Sequence, residues 1–330
     1  MKEKRQPKVS ILVPMYNVEK LLPRCLDSIV GQTMKEIEIV VVNDASPDGS
    51  LAIARRYAER DDRFVIIDKP VNEGLMMARR TAIEAASAPR VFFLDSDDYI
   101  PADAIERLYR EAWRSEADIV VGNMYLENLK GRHVLRPRAH VAGKDGDAYM
   151  RAILSWTTCS LCGSLFNRKI LLHPGLPAMK GRVHSEDRIL LTALLLQTKP
   201  KVATADVDAY YYCLNTESAT RRRLTDDNLR SQLEALTYCY DYVEKNSGNY
   251  TALNDNYLLR YLSLYLEKGY PREIVGDYND TTRRLLEFDT MVKTTSLRFA
   301  IHTRLSLVSP LYRRLATAGR STIRKIQGKD

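Results

Sequence analysis

The chain has 330 residues, with 50 Lys and Arg against 42 Asp and Glu, a formal net charge of +8. Residues 291–330 hold nine basic residues and one acid, so residues 1–290 are formally neutral. That distribution argues against a general nucleic-acid binder, whose basic surface belongs to the folded body, and leaves a neutral globular body with a basic end.

The first hundred residues alternate between two periods. Val9–Val13 is a short apolar run that reads as a buried strand ended by Pro14. Val18, Leu21, Leu22, Leu26 and Ile29 then share one helical face over residues 18–30. Ile37–Val42 is a second strand, 50–60 a helix behind Asp48-Gly49, and Phe64–Ile67 a third strand. Residues 72–86 form a helix and Val91–Leu94 a fourth strand. Pro101 opens the next helix at its first position, where a missing N–H costs nothing. Residues 118–122 are a fifth strand. Strand–helix alternation with short loops predicts an α/β, doubly wound, mostly parallel sheet.

Ligands of such sheets sit off the carboxyl ends of the strands. Pro14, Tyr16 and Asn17 follow the first strand, and Asn43, Asp44, Ser46 and Asp48 the second. Asp95-Ser96-Asp97-Asp98 follows the fourth. Three such carboxylates repel one another unless a divalent cation offsets the charge, and oxygen ligands suit Mg²⁺ or Mn²⁺. A helix cap at Asp97 or Asp98 is the structural alternative. No G-x-G-x-x-G follows the first strand and no G-x-x-x-x-G-K-[ST] occurs, which counts against a dehydrogenase or a P-loop enzyme.

Further on, a helix is expected near 144–155 and a strand over 207–214. Ser185 reads as a helix cap, with Glu186 and Asp187 in the first turn, where the dipole favours acids. One of these carboxylates could instead face a cleft as a general base. Cys159-Ser-Leu-Cys162 is a lone C-x-x-C and reads as ordinary buried thiols, and His184 as a loop residue. The N-terminus lacks an apolar leader, and the longest uncharged stretch, Ala152–Asn167, is 16 residues. Spanning a bilayer takes roughly 20 apolar residues. With five cysteines, these features predict reduced thiols and a cytoplasmic setting.

Together these segments resemble family 2 glycosyltransferases of the GT-A fold. The resemblance rests on Val9–Asn17 with Glu19, on 42–49, on 72–79 running into 92–98, and on the later Ser185-Glu-Asp187. It covers roughly residues 7–220 and is specific for fold and reaction type, not for the sugar. It implies that Tyr16 stacks on the donor base with Pro14 shaping the turn. Asp44 would bond that base, read as uracil, with Glu19 near the nucleotide. Asn72, Arg79, Asp95 and Ser96 belong to the same nucleotide-sugar set, Arg79 reaching the base or phosphates and Asp95 the ribose. Asp97, with Asp95, would coordinate the metal, and Asp187 would deprotonate the acceptor with Glu186 in support. Two departures stand out. A-R-N-x-G reads Ala78-Arg-Arg-Thr-Ala82, and W-N-K-L reads Cys162-Gly-Ser-Leu165.

The resemblance implies an inverting, metal-assisted enzyme working on a nucleotide-sugar donor and a glycan or lipid-linked acceptor. A sugar-1-phosphate nucleotidyltransferase and a catalytically silent nucleotide-sugar or membrane-docking module are the alternatives. A catalytic domain over 1–224 and a helical region over 225–330 are expected. The latter ends in a basic amphipathic segment at about 296–326, whose apolar residues from Leu297 to Ile326 fall within an arc of about 80° at 100° per residue. Such a stripe flanked by arginines suits the inner face of the plasma membrane.

Overall fold

A computed structural model describes residues 6–128, 131–136, 146–155, 159–177, 186–214, 225–276, 278–287, 290, 291, 299 and 303. The chain divides into two units, residues 1–222 and 223–330.

The first unit opens with β1 (Val9–Met15), α1 (Leu22–Val30), β2 (Ile37–Asn43), α2 (Ser50–Ala58) and β3 (Phe64–Asp68). It continues with α3 (Leu75–Ala85), β4 (Arg90–Phe93), α4 (Ala104–Ser115), β5 (Ile119–Glu127) and β6 (His133–Arg136). It ends with α5 (Gly146–Leu154), β7 (Ser164–Asn167), α6 (Arg168–Leu171), α7 (Glu186–Thr198) and β8 (Val202–Cys213). All eight strands share one sheet in the order β3-β2-β1-β4-β7-β5-β6, with β8 paired to β5. Every residue of β1 is buried, as expected of a strand covered on both faces.

The expected α/β sheet is present but mixed. β1, β2, β3 and β4 pair in parallel, as do β5 and β8. β7 lies antiparallel between β4 and β5, and β6 pairs antiparallel with β5. Pro14 does not end the first strand. It pairs with Val42 inside β1, beyond the last β4 partner Leu12, so its missing N–H interrupts no ladder on that side. Nor does Pro101 open α4, which begins three residues later behind Asp103.

The register brings the strand ends level. Met15 pairs with Asn43, and Asn43 with Asp68. Beyond the strands, Asp44 N donates to Met15 O and Lys69 N to Asn43 O, each at 3.0 Å. The loops after β1 and β2 are then stitched together. Asn17 N donates to Ser46 Oγ, Val18 N to Ser50 Oγ, Glu19 N to Asp48 Oδ2, and Gly49 N back to Glu19 Oε2.

The second unit contains α8 (Asp226–Asn246), α9 (Thr251–Glu267), α10 (Arg272–Val275) and α11 (Asp280–Leu285). Its interior holds a polar knot. Tyr240 Oη donates to Asp255 at 2.6 Å, and Arg284 donates to both. Most of the amphipathic segment expected at 296–326 lies outside the described residues, as do His184 and the cap Ser185. Thr303, which is described, is buried, with its hydroxyl 2.9 Å from Ser263 Oγ of α9. No described helix is long and apolar enough to cross a membrane.

Candidate active site

Three strand ends and the start of α7 contribute. Behind β1, Tyr16 is 49% exposed, an aromatic face at the rim. Behind β2, Asp44 is buried and meets the start of α3. Its Oδ1 accepts from Lys69 Nζ at 2.7 Å and Glu73 N at 3.1 Å, and its Oδ2 from Gly74 N at 2.8 Å. Gly74 has φ +89°, a backbone state that favours glycine and turns its N–H toward the carboxylate. Asn72 Oδ1 also accepts from Gly74 N. The exposed side chains of Val71 and Leu75 flank this turn.

The second cluster joins β4 to α7 through Arg79. Its guanidinium is 1% exposed and lies 2.8 Å from Asp95 Oδ1 and 2.5 Å from Asp187 Oδ1, with Glu186 4.0 Å away. Burial opposes its charge, and Asp187 and then Asp95 outweigh that cost, so the group is held firmly protonated. Asp187 Oδ2 accepts from Ser160 Oγ at 3.1 Å and Leu161 N at 3.2 Å. Glu186 is pushed up to about 7, by burial first and by Asp187 second.

The three carboxylates after β4 have separate fates. Asp95 is engaged at both oxygens, by Arg79 and by the Cys162 thiol at 3.4 Å. Asp97 is pushed up to about 6 by burial and by Asp95. Asp98 is fully buried and turned away. It accepts from Tyr210 Oη at 2.6 Å and Cys213 N at 2.7 Å, which pins β8 to the loop, and it caps no helix. Tyr210 Oη also accepts from Asp95 N.

This donor set fits a hard divalent cation. A half-buried carboxylate, Asp97, faces another with too little positive charge nearby to hold its proton off. Among the described residues no group of three or more His, Cys, Asp or Glu is placed to hold an ion. Mg²⁺ and Mn²⁺ sites need no such cage, because one or two carboxylates suffice when substrate phosphates complete the shell.

Most residues expected from sequence converge on this end of the sheet. Tyr16 and Asp44 form its first half, and Arg79, Asp95, Asp97, Glu186 and Asp187 its second. Three expectations change. Arg79 is turned inward between two carboxylates instead of toward an incoming phosphate or base. Glu19 is spent on the Asp48–Gly49 clasp, and a Cβ on Gly49 would lie 2.8 Å from its carboxyl. Ser96 is buried. Sequence reading missed Lys69, whose setting reads as a surface cation. It also missed Cys162 as a partner of Asp95, and Arg24, which donates to Asp97 O at 3.4 Å and lies over the Tyr99 ring.

Residues 10–173 match the family model described as glycosyl transferase family 2. That segment belongs to the family. Glycosyltransferase GlyA of Streptococcus pneumoniae is 48% identical over 121 residues, 37% of this chain and 17% of GlyA. The poly(ribitol-phosphate) beta-glucosyltransferase of Bacillus spizizenii is 33% identical over 207 residues, 62% of this chain and 32% of its own. The chain thus spans less than two thirds of these relatives' lengths. Among solved structures, S. aureus TarS 1-349 in complex with UDP superposes with a TM-score of 0.67 at 19% identity, covering 96% of this chain and 92% of that one. This likeness shows the GT-A type fold, a mostly parallel sheet flanked by helices.

Proposed function

We propose that this family 2 member transfers a sugar from a nucleotide-diphosphate donor, most simply a UDP-sugar, to a hydroxyl of a glycan or lipid-linked glycan, with inversion. The observation that carries the reading is Arg79, which joins the carboxylate at the donor end of β4 to the carboxylate at the start of α7. The UDP bound to TarS, and the poly(ribitol-phosphate) in the name of the Bacillus relative, support the donor and acceptor classes.

Tyr16 would stack on the base and Asp44 accept its N–H. Asp187 would take the acceptor's proton. Arg79, Ser160 and the Leu161 N–H hold its carboxylate in one orientation, so little reorganisation is needed at the moment of attack. Glu186 stands beside it as a second acid of shifted acidity. Mg²⁺ or Mn²⁺, held by Asp97 with Asp95 behind it, would supply positive charge to the leaving diphosphate. A single displacement from the face opposite the leaving group gives inversion.

Docking of the basic end on an anionic membrane completes the proposal. In a helical reading Thr303, which packs on α9, falls on the side opposite the apolar stripe from Leu297 to Ile326.

Calorimetric titration with a panel of nucleotide sugars and Mn²⁺ tests the donor side. A UDP-sugar is expected to bind, and no binding by any nucleotide diphosphate overturns the proposal. On the acceptor side, Asp187→Asn is expected to keep donor binding and lose transfer about 10²- to 10⁴-fold. Undiminished transfer removes Asp187 as base, and a wild type without turnover on any acceptor favours a silent binding module.

A further inference from the structure

Lys69 is a buried cation that the chemistry above does not use. It follows β3 directly and is 9% exposed. Its Nζ lies 2.7 Å from Asp44 Oδ1 and 2.9 Å from Glu73 Oε2. Burial opposes the ammonium charge, and the hydrogen bonds and charges of Asp44 and Glu73 outweigh it. Buried ion pairs are poor sources of stability, since well-packed apolar residues of similar size often serve as well or better. The trio therefore calls for a reason other than holding the fold.

The geometry of Asp44 supplies one. Oδ1 is filled by Lys69 and the Glu73 N–H, while among the described residues Oδ2 accepts only from the Gly74 N–H. A carboxylate oxygen has two acceptor directions, so Oδ2 retains one. An ionised carboxylate has no proton to give, and whatever meets that direction must bring its own N–H. Uracil presents a ring N–H, whereas cytosine at neutral pH presents a bare ring nitrogen at the same position, and offering its neighbouring amino group instead requires the base to shift in the pocket. Two lone pairs facing each other in a partly dry site leave both groups unsatisfied.

We propose that Lys69 sets the base selectivity of the donor pocket: by holding Asp44 as an acceptor that cannot donate, it admits bases with a ring N–H and refuses cytosine. The inference rests on the reading of Asp44 as the base-recognising residue. Lys69 touches Asp44 and not the base, so it is a positioning residue. Without the ammonium, two carboxylates share a buried site with no cation, which favours uptake of a proton. A protonated acid donates as well as accepts, and the discrimination disappears.

The test is binding of UDP and of CDP, each with Mn²⁺, to the full chain. Wild type is expected to prefer UDP by about 100-fold. Lys69→Met, which keeps length and burial, is expected to weaken UDP about 10- to 100-fold and CDP by less than about threefold, so the preference collapses. Asp44→Asn, which carries both a donor and an acceptor, is expected to show the same collapse, and Lys69→Arg to restore the preference. Lys69→Gln, which leaves the same two carboxylates without a cation, serves where Lys69→Met unfolds, with thermal unfolding checking every variant. A folded Lys69→Met or Lys69→Gln variant with an unchanged UDP-to-CDP ratio overturns the inference, even where both nucleotides bind more weakly, because equal weakening marks a structural role. A wild type that binds UDP and CDP equally also overturns it, leaving the proposed transfer reaction standing. A wild type that binds neither overturns that reaction and the inference together.

Discussion

A guanidinium that is 1% exposed must find its partners inside the protein, and Arg79 finds Asp95 and Asp187. Removing one member of such a set strands the others in a low-dielectric site. Arg79→Met is therefore expected to destabilise the fold by about 3–5 kcal/mol, read from urea unfolding at neutral pH. Glu186 makes a second residue-scale prediction. Burial and Asp187 raise its carboxyl to about 7 from the ordinary 4.5, so the folded state binds a proton that the unfolded state has released. That contribution to stability is complete below about pH 4.5 and is lost as pH rises through about 7. The melting temperature of the ligand-free protein is expected to fall across this window, and Glu186→Gln to flatten the fall. A profile in Glu186→Gln identical to wild type would show that another group is responsible. Local sequence could not reveal this pairing. Asp187 lies 108 positions beyond Arg79, and an A-R-R segment on a helix looks the same whether its first arginine points in or out.

At the scale of elements, β8 is fastened to the loop after β4 by the Tyr99–Tyr211 backbone bridge and by Tyr210 and Cys213 N on Asp98. Tyr210 Oη donates to Asp98 and accepts from Asp95 N, joining the two carboxylates' neighbourhoods at their base. Tyr210→Phe leaves the Asp98 carboxylate short of a donor in a dry site and is expected to cost about 1–3 kcal/mol, measured by denaturant midpoint at constant slope. Stability unchanged by this substitution would show that the loop holds its shape without the tyrosine. The same region marks the limit of what periodicity conveys. The strand–helix alternation from Val9 to Ser115 was legible because apolar runs of period-two and period-3.6 spacing follow one another with short loops. β7 was not. Its four residues, Ser164–Asn167, lie inside an uncharged stretch whose preceding segment gives no alternation to read. The inserted antiparallel strand is a long-range pairing that no local pattern specifies. For the same reason the acids at strand ends were legible as a set, while the turning away of Asp98 depended on a strand more than a hundred residues later.

For the whole molecule, charge and architecture separate. Residues 1–290 are formally neutral, and the surplus of +8 belongs to residues 291–330. An apolar stripe with basic flanks gains roughly 1 kcal/mol per basic residue near an anionic leaflet. The full chain is expected to sediment with vesicles containing anionic lipid and to stay in solution with neutral ones. A chain ending at Thr290 is expected to ignore both. Equal sedimentation of the shortened chain would move the docking surface elsewhere, and tight, salt-sensitive binding of DNA by the full chain would replace the lipid with a nucleic acid.

The reversed strand β7 has a consequence for how such an enzyme can change. The parallel strands deliver to the rim the residues that follow them, whereas β7 delivers those that precede it. Ser160, Leu161 and Cys162 arrive from the opposite direction to reach Asp187 and Asp95. The chain between β5 and β7 is therefore a tether fixed at both ends to neighbouring strands, with its far end at the rim. Under the function proposed above, segment swaps between relatives, cut at Glu127 and at Ser164, are expected to change acceptor preference while nucleotide binding stays as it was, read by titration with the nucleotide and by transfer to each parent's acceptor.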